Sequence, residues 1–148
     1  MGVEEKFVVK TNSQEQGTKY MKITKFEDIE SWQMGRELTR EIYAITRKEE
    51  FARDYGLTDQ IRRASGSVMH NIAEGFDGGS NAEFIKFLRY AQRSCAEIQS
   101  ELYVALDQGY VSAEVFAGLY EMAGKARSKL GAFIKYLIEY NRKLRVRS

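Results

Sequence analysis

Apolar residues recur every three or four positions over most of this 148-residue chain, and the chain contains no proline. This spacing places them on one face of an α-helix, and every residue keeps the N–H that helical hydrogen bonding needs. Clear stretches of this kind cover residues 57–75, 84–105 and 115–140, and a looser one runs from about 27 to 49. The sequence therefore predicts an all-α fold, an antiparallel up-and-down four-helix bundle.

The pattern divides the chain into three segments. Residues 1–25 are polar and lack a clear period, which indicates a mobile leader or a short strand docking on a neighbour. Residues 26–141 form the bundle, and we expect its last helix to fray near Asn141. Residues 142–148 then form a basic C-terminal tail.

Polar and glycine residues suggest where the helices begin and end. Short side-chain oxygens cap helix N-termini, and glycine favours their C-terminal ends. Residues 51–56 look like a connection between the first two helices. Expected N-caps are Thr58, Ser80 or Asn81, and Ser112, and expected stops are Gly75 and Gly109. The last helix also contains Gly118, Gly124 and Gly131, some of which we expect to allow close approach of another helix.

Composition limits the compartment and the chemistry. The single cysteine, Cys95, cannot form an internal disulfide, and no apolar run is long enough to cross a bilayer. We see no signal peptide, so we expect a cytoplasmic protein that does not bind membranes.

No catalytic or metal-binding pattern stands out. His70 is the only histidine, and no Glu-x-x-His motif of di-iron bundles is present. Ser67, Ser94 and Cys95 lack a base at a defined spacing. The glycine-rich segment 75–81 has no Gly-Lys-Ser/Thr and no preceding strand signal, so we interpret it as a helix connection. We therefore expect no metal, no cofactor and no enzymatic activity.

A polar stripe runs along the second helix beside its apolar face. Its members share a three- or four-residue spacing: Gln60, Arg63, Ser67, Asn71 and Glu74. The third helix carries a matching set, Ser94, Glu97 and Glu101. We expect Arg63 to face Glu97 or Glu101 in a network that fixes helix register. A binding surface is the alternative.

Basic residues supply a second kind of candidate site. Arg62 and Arg63, together with Arg89 and Arg93, could form a surface that contacts phosphates. From Lys125 to the end, eight bases face one acid, Glu139. The candidate nucleic-acid-binding residues are Arg62, Arg63, Arg89, Arg93, Lys125, Arg127, Lys129, Arg142, Lys143 and Arg145. The alternative is that the C-terminal bases only match the helix dipole and keep the protein soluble.

Several motifs together resemble a known family. They are Phe26-Glu-Asp-Ile29 with Trp32-Gln33, Tyr55-Gly-Leu57, Gln60-Ile-Arg-Arg-Ala64, Ser67, Asn71-Ile-Ala-Glu-Gly75, and Phe84, Phe87, Leu88, Ala91, Ser94 and Glu97. The sequence from about Lys25 to Tyr140 resembles the bacterial four-helix-bundle proteins called 23S rRNA-intervening-sequence proteins. The accessory protein of diversity-generating retroelements is similar in fold.

The resemblance implies an antiparallel bundle that assembles as a homopentameric ring, with RNA binding presumed and no enzymatic activity. It carries over Gln60, Arg62, Arg63, Ser67, Asn71, Glu74, Ser94 and Glu97 without saying whether they bind a ligand or hold the bundle together.

We therefore expect a non-enzymatic homo-oligomer that binds RNA or a ribonucleoprotein through a basic surface. The alternative is a protein–protein assembly module without nucleic-acid binding, in which tyrosines and the glycines of the last helix make the subunit contacts.

Overall fold

Helices dominate the protein, which confirms the helical class. The computed structural model describes residues 7–11 and 19–147, and the side chains of residues 22–146. In this part of the chain the elements are β1 (Phe7–Thr11), β2 (Lys19–Ile23), a 3₁₀ turn (Phe26–Asp28), α1 (Glu30–Thr46), α2 (Glu49–Arg53), α3 (Tyr55–Asp77), α4 (Asn81–Asp107) and α5 (Ala113–Arg147).

The four long helices enclose one apolar core. α4 packs against α3 and α5, and α1 packs against the same two helices. The buried side chains come from the expected three- and four-residue spacing, with Ile42, Ile61, Leu88, Ile98 and Leu130 fully buried. Burying each such side chain contributes about 1.5–3 kcal/mol.

The N-terminal segment contains a hairpin that the helical pattern did not predict. β1 and β2 pair antiparallel, with Phe7 opposite Ile23. The Ile23 side chain is buried with the helical core, so the expected boundary at residue 25 does not separate the leader from the core. The expected mobility also concerned residues 1–6 and 12–18, which lie outside the described residues.

Three expected boundaries are wrong. α3 begins at Tyr55 because Asp54, not Thr58, caps it: Oδ1 of Asp54 accepts a hydrogen bond from the Leu57 N–H at 3.1 Å. Most of the expected connection at 51–56 is therefore helical. α3 also continues past Gly75 to Asp77, since Gly75 is a packing position and not a stop.

The third wrong boundary lies at the C-terminus. α5 does not fray at Asn141 but continues to Arg147. The segment that we expected to be a basic tail is therefore the last part of a helix.

Other boundaries fall where the sequence placed them. Oγ of Ser80 accepts a hydrogen bond from the Glu83 N–H, and Oγ of Ser112 accepts one from the Val115 N–H. Gly109 follows α4 with a φ of +75°, a conformation that residues other than glycine rarely adopt.

Two glycines of α5 allow the close approach that the sequence suggested. A Cβ atom at Gly124 would lie 3.3 Å from Nε2 of Gln99, and one at Gly131 would lie 3.2 Å from Nε2 of Gln92. These amides donate hydrogen bonds to the α5 backbone, Gln92 to the Arg127 carbonyl and Gln99 to the Tyr120 carbonyl. Gly118 has nothing within 4 Å of the same position.

We expect opposite effects from alanine at two helical glycines. A Cβ atom at Gly75 would lie 2.6 Å from Cβ of Phe87 and 3.0 Å from Cδ1 of Phe84, so Gly75→Ala should cost about 1–3 kcal/mol through overpacking. Gly118→Ala is the control and should stabilise the protein by up to about 1 kcal/mol through helix propensity alone. Urea unfolding of both variants measures the difference, and equal losses would contradict this explanation.

Candidate nucleic-acid interface

The predicted phosphate-binding residues lie on three helices, α3, α4 and α5. Arg62 lies on the side of α3 that packs against α1. Arg89 and Arg93 are exposed on α4. Arg62 is therefore held in a contact between α1 and α3, apart from the exposed arginines of α4. The remaining candidates, from Lys125 to Arg145, all lie on α5.

Arg62 is held in the contact between α1 and α3. Its Nε donates a hydrogen bond to Oγ1 of Thr46 at 2.9 Å, and its guanidinium lies 4.6 Å from the centre of the Tyr43 ring. Arg63 instead forms an exposed ion pair with Asp59 at 3.1 Å. An exposed pair of this kind adds little stability. Arg62 therefore packs between α1 and α3, and the carboxylate of Asp59 partly offsets the positive charge of Arg63.

An open hollow adjoins these arginines. Its lining combines polar and aromatic side chains from α1 and α3: Tyr43, Asp59, Arg62, Arg63, Gly66, Ser67 and His70. His70 and Ser67 are both among the residues that line it. Both lie on an exposed or half-exposed surface without a third group to orient the imidazole.

The candidate nucleophile Cys95 is poorly reactive. Cys95 is fully buried, and burial raises the pKa of its thiol to about 12. The thiolate, which is the reactive form, is therefore scarce. In the described part of the chain, no three side chains among His, Cys, Asp and Glu are grouped as metal ligands would be. None of the described helices is long and apolar enough to cross a membrane.

The α4–α5 hairpin carries a sharp division of charge. Residues 94–124 contain five acids and no base: Glu97, Glu101, Asp107, Glu114 and Glu121. We call this the acidic half. Residues 81–93 of α4 and 125–147 of α5 contain eleven bases and two acids, Glu83 and Glu139. We call this the basic half.

The two helices change sign at the same level. The bonds from Gln92 to the Arg127 carbonyl and from Gln99 to the Tyr120 carbonyl bracket the boundary on both helices. The basic half therefore forms one continuous surface, on which Arg89, Arg93, Lys125 and Arg127 are exposed.

Two of the bases in α4 flank an aromatic ring. Nζ of Lys86 and Cζ of Arg93 each lie 5.8 Å from the centre of the Tyr90 ring. Sequence reasoning did not select Lys86, although its spacing of four and seven residues from Tyr90 and Arg93 places all three near one face of the helix. On α5, Lys125 pairs with Glu121 and Lys129 pairs with Glu30 of α1.

The polar stripes of α3 and α4 form their hydrogen bonds and ion pairs within their own helices. Ser94 and Glu101 are buried, whereas Gln60, Glu74 and Glu97 are exposed. The expected pairing of Arg63 with Glu97 or Glu101 is wrong, because Arg63 pairs with Asp59 on its own helix. Likewise, Nδ2 of Asn71 donates to the Ser67 carbonyl. The bonding is therefore local to each helix.

Glu101 is the unusual member of these stripes. Its side chain hydrogen-bonds to Glu97, and Oε2 is buried without a hydrogen-bond partner. Burial, and then the negative charge and hydrogen bond of Glu97, raise the pKa of the Glu101 carboxyl to about 8. Glu101 is therefore mostly protonated at neutral pH. Two carboxylates one helical turn apart were the sequence signal for this coupling.

A comparison with known protein families identifies the family of this chain. The model of the 23S rRNA-intervening sequence protein family matches residues 27–132. This chain belongs to that family. The match leaves out both strands and the end of α5, including Arg142 and Lys143.

A solved structure shares the fold of this family member. It is the crystal structure of a protein of unknown function from the S23 ribosomal protein family of Bacteroides thetaiotaomicron VPI-5482. The TM-score is 0.65 at 22% identity, and the match covers 71% of this chain and 98% of that one. No curated protein matches this chain.

We expect Glu101 to make stability fall as pH rises. Because its pKa is about 8 in the folded chain and 4.5 is its ordinary value, the folded state binds more protons between these values. Stability should be greatest below about pH 4.5 as far as this group is concerned, and should decline until about pH 8. Glu101→Gln mimics the protonated carboxyl and should remove this decline.

Urea unfolding from about pH 5 to pH 8, at low protein concentration, measures the effect. Glu114→Gln, which removes an exposed carboxylate, is the matched control and should keep the decline. An identical pH profile for Glu101→Gln and the unchanged protein would refute the assignment.

Proposed function

We propose that this family member is a non-enzymatic, oligomeric helical bundle that binds RNA through the basic half of the α4–α5 hairpin. The observation that carries the proposal is the division of charge at one level of two packed helices. Eleven bases against two acids, concentrated in one half of a hairpin, create a local positive potential despite a net charge of only +2.

We infer an antiparallel up-and-down four-helix bundle for the scaffold. On α1 and α3, Thr39 bonds to the Ser65 carbonyl, and Thr46 accepts from Arg62. Residue numbers therefore rise along one helix as they fall along the other. The bonds of Gln92 and Gln99 to α5 follow the same rule. The short connections after α3 and α4 support the same direction for those pairs.

The basic half suits phosphate contacts better than base recognition. Arg89, Arg93 and Arg127 are exposed side chains on rigid helices, and such contacts position a nucleic acid without reading its sequence. Tyr90, between Lys86 and Arg93, offers a ring on which an unpaired base could stack. These features favour folded RNA with exposed loops over uniform duplex DNA.

The family description favours the same class of ligand. It names proteins of sequences that intervene in 23S rRNA, which makes structured ribosomal RNA a reasonable first ligand to test. A single buried thiol suits the reducing cytoplasm, which we propose as the compartment.

The absence of enzymatic activity is part of the proposal. Burial and the raised pKa of the Cys95 thiol argue against nucleophilic catalysis. His70 is exposed, and no hydrogen bond among the described residues holds its imidazole in one orientation. We propose no cofactor.

A protein–protein assembly module is the second candidate. Tyr103, Phe116 and Tyr120 form a cluster across α4 and α5, with ring centres 4.8 to 5.7 Å apart. Tyr103 is 50% exposed and lies in the acidic half, where phosphates would be repelled. Exposed aromatic rings are enriched in protein interfaces.

A salt series distinguishes the two functions. We expect the purified protein to bind a structured fragment of 23S rRNA, with affinity that falls steeply as salt rises, because bound phosphates release counterions. Arg89→Glu with Arg127→Glu should weaken binding at low salt at least about tenfold and reduce the salt slope by about one per lost contact.

The control changes charge equally on α1 and α3, outside the basic half. Arg40→Glu with Arg63→Glu leaves the basic half intact and should bind nearly as well as the unchanged protein. Circular dichroism checks that both variants fold. A greater loss in the control would move the interface to α1 and α3, and no binding at low salt would favour the assembly module.

A further inference from the structure

The contact between α3 and α4 contains a polar seam that the single chain leaves incomplete. We define the seam by Gln60, Ser67, Asn71 and Glu74 on α3 and by Ser94, Glu97 and Glu101 on α4. Among the described residues, the hydrogen bonds of Asn71, Glu97 and Glu101 all stay within their own helices. The seam therefore has polar groups that do not tie α3 to α4.

Glu101 is the deepest of these groups. It is 7% exposed, and its buried Oε2 has no hydrogen-bond partner within the described part of the chain. A buried carboxyl oxygen without a donor is costly, and most buried polar atoms in proteins have a partner. The neighbouring surface is open, because Glu97 is exposed and Val104, one turn further along α4, is 45% exposed.

Among the described residues, no base forms an ion pair with Glu101. On α4 the charged neighbour is Glu97, which raises the pKa of Glu101. On α3, Arg63 is paired with Asp59 at 3.1 Å. On α5, Glu114 and Glu121 add negative charge, and Lys125 is paired with Glu121 at 3.2 Å. A cation that pairs with Glu101 can therefore be supplied by a second molecule.

The opposite end of the same molecule offers such cations. Nδ2 of Asn81 donates to Oδ1 of Asn141 at 2.8 Å, so the start of α4 lies level with Asn141. α5 continues beyond this level to Arg147. This end of α5, residues 142–147, carries exposed Arg142 and Lys143 and an exposed Val146, and contains no acid.

We propose that the polar seam is a docking site for a second copy of this chain, whose α5 end places Arg142 or Lys143 against the Glu97–Glu101 carboxyl pair. The charges are complementary, since the acidic half has no base and the α5 end has no acid. The apolar surfaces are complementary too: Val146 is 82% and Leu144 46% exposed at one end, and Val104 and Tyr55 are exposed at the other.

The proposed contact joins two different surfaces. The seam carboxyls lie near the end of α4, and the cations lie at the end of α5, so one copy binds the next head to tail. Each added copy leaves one seam and one α5 end available, and such heterologous association yields a ring or a filament. This inference rests on the proposed self-association and names the surfaces that would produce it.

Docking is coupled to the release of a proton from Glu101. Glu101 has a pKa of about 8 in the single chain, and a cation beside it favours the ionised form. Its proton therefore passes to solvent when the ion pair forms. Assembly should tighten as pH rises toward 8, by up to about tenfold per pH unit for each proton released. High salt should weaken it.

The first test measures mass by sedimentation velocity across protein concentration, at about pH 6 and pH 8, without nucleic acid. We expect the unchanged protein to assemble more tightly at the higher pH. Glu101→Gln should fold normally but assemble weakly and without pH dependence. If this variant keeps the pH dependence of the unchanged protein, the seam is not the docking site.

The second test uses charge reversal on each surface. Glu97→Lys places an ammonium one turn from Glu101, within reach of the carboxyl that the second copy would otherwise occupy. Arg142→Glu with Lys143→Glu removes the cations of the α5 end. We expect each variant alone to stay monomeric.

Mixing the two variants makes the test specific for head-to-tail contact. The Glu97→Lys protein still has its α5 end, and the Arg142→Glu, Lys143→Glu protein still has its seam. We expect a one-to-one complex that grows no further. The proposal would be overturned if the mixed variants form no complex, or if either variant alone assembles like the unchanged protein.

The results distinguish a failure of the proposed function from a failure of the seam assignment. If the unchanged protein is a monomer at every concentration and pH, both self-association and the seam assignment are wrong, while RNA binding is still measured by the salt series. If it assembles but neither reversal matters, only the seam assignment is wrong. Glu97→Lys should retain RNA binding, because it does not alter the basic half.

Discussion

The close packing of α4 between α3 and α5 is the constraint on which the rest of the structure depends. On one side, Gly75 brings α3 so near that a methyl group would lie 2.6 Å from Cβ of Phe87. On the other, Gln92 and Gln99 reach the α5 backbone next to two glycines. These contacts fix the axial position of both neighbours, so they also decide which charges lie side by side.

The register of α4 against α5 brings the charges of the two helices together on one surface. Acids and bases are segregated along each helix, but only the observed register of the two helices places the two boundaries at one level. A shift of one helical turn, about 5.4 Å, would set acids of one helix beside bases of the other. The positive potential of the basic half therefore depends on two glutamines and two glycines that carry no charge.

The sequence predicted the parts of this fold that arise from local periodicity. Helical spacing, the serine caps and the glycine after α4 involve neighbours within a few residues, and they are confirmed. Gly75 was mistaken for a stop because its role depends on Phe87 of another helix. The sequence suggested a short strand in the leader as one alternative but not the two-stranded hairpin, because five-residue strands with mixed residues give little periodic signal.

At the candidate site, too, contacts between helices could not be predicted from spacing along the chain. Both polar stripes were visible in the sequence, but the pairing across them was wrong, because Asp59 lies closer to Arg63 along its own helix. The burial of Glu101 also depends on how two helices meet. Spacing indicates that two side chains share a face, whereas the depth of that face is a property of the packed molecule.

The length of α5 has a mechanical consequence. Its 35 residues form an uninterrupted rod about 50 Å long, without a proline at which it could kink. Such a rod transmits the orientation of the core to its tip without a hinge. Anything held at the tip therefore meets the bundle at a nearly constant angle, and an array built through this contact would have its curvature set by the core.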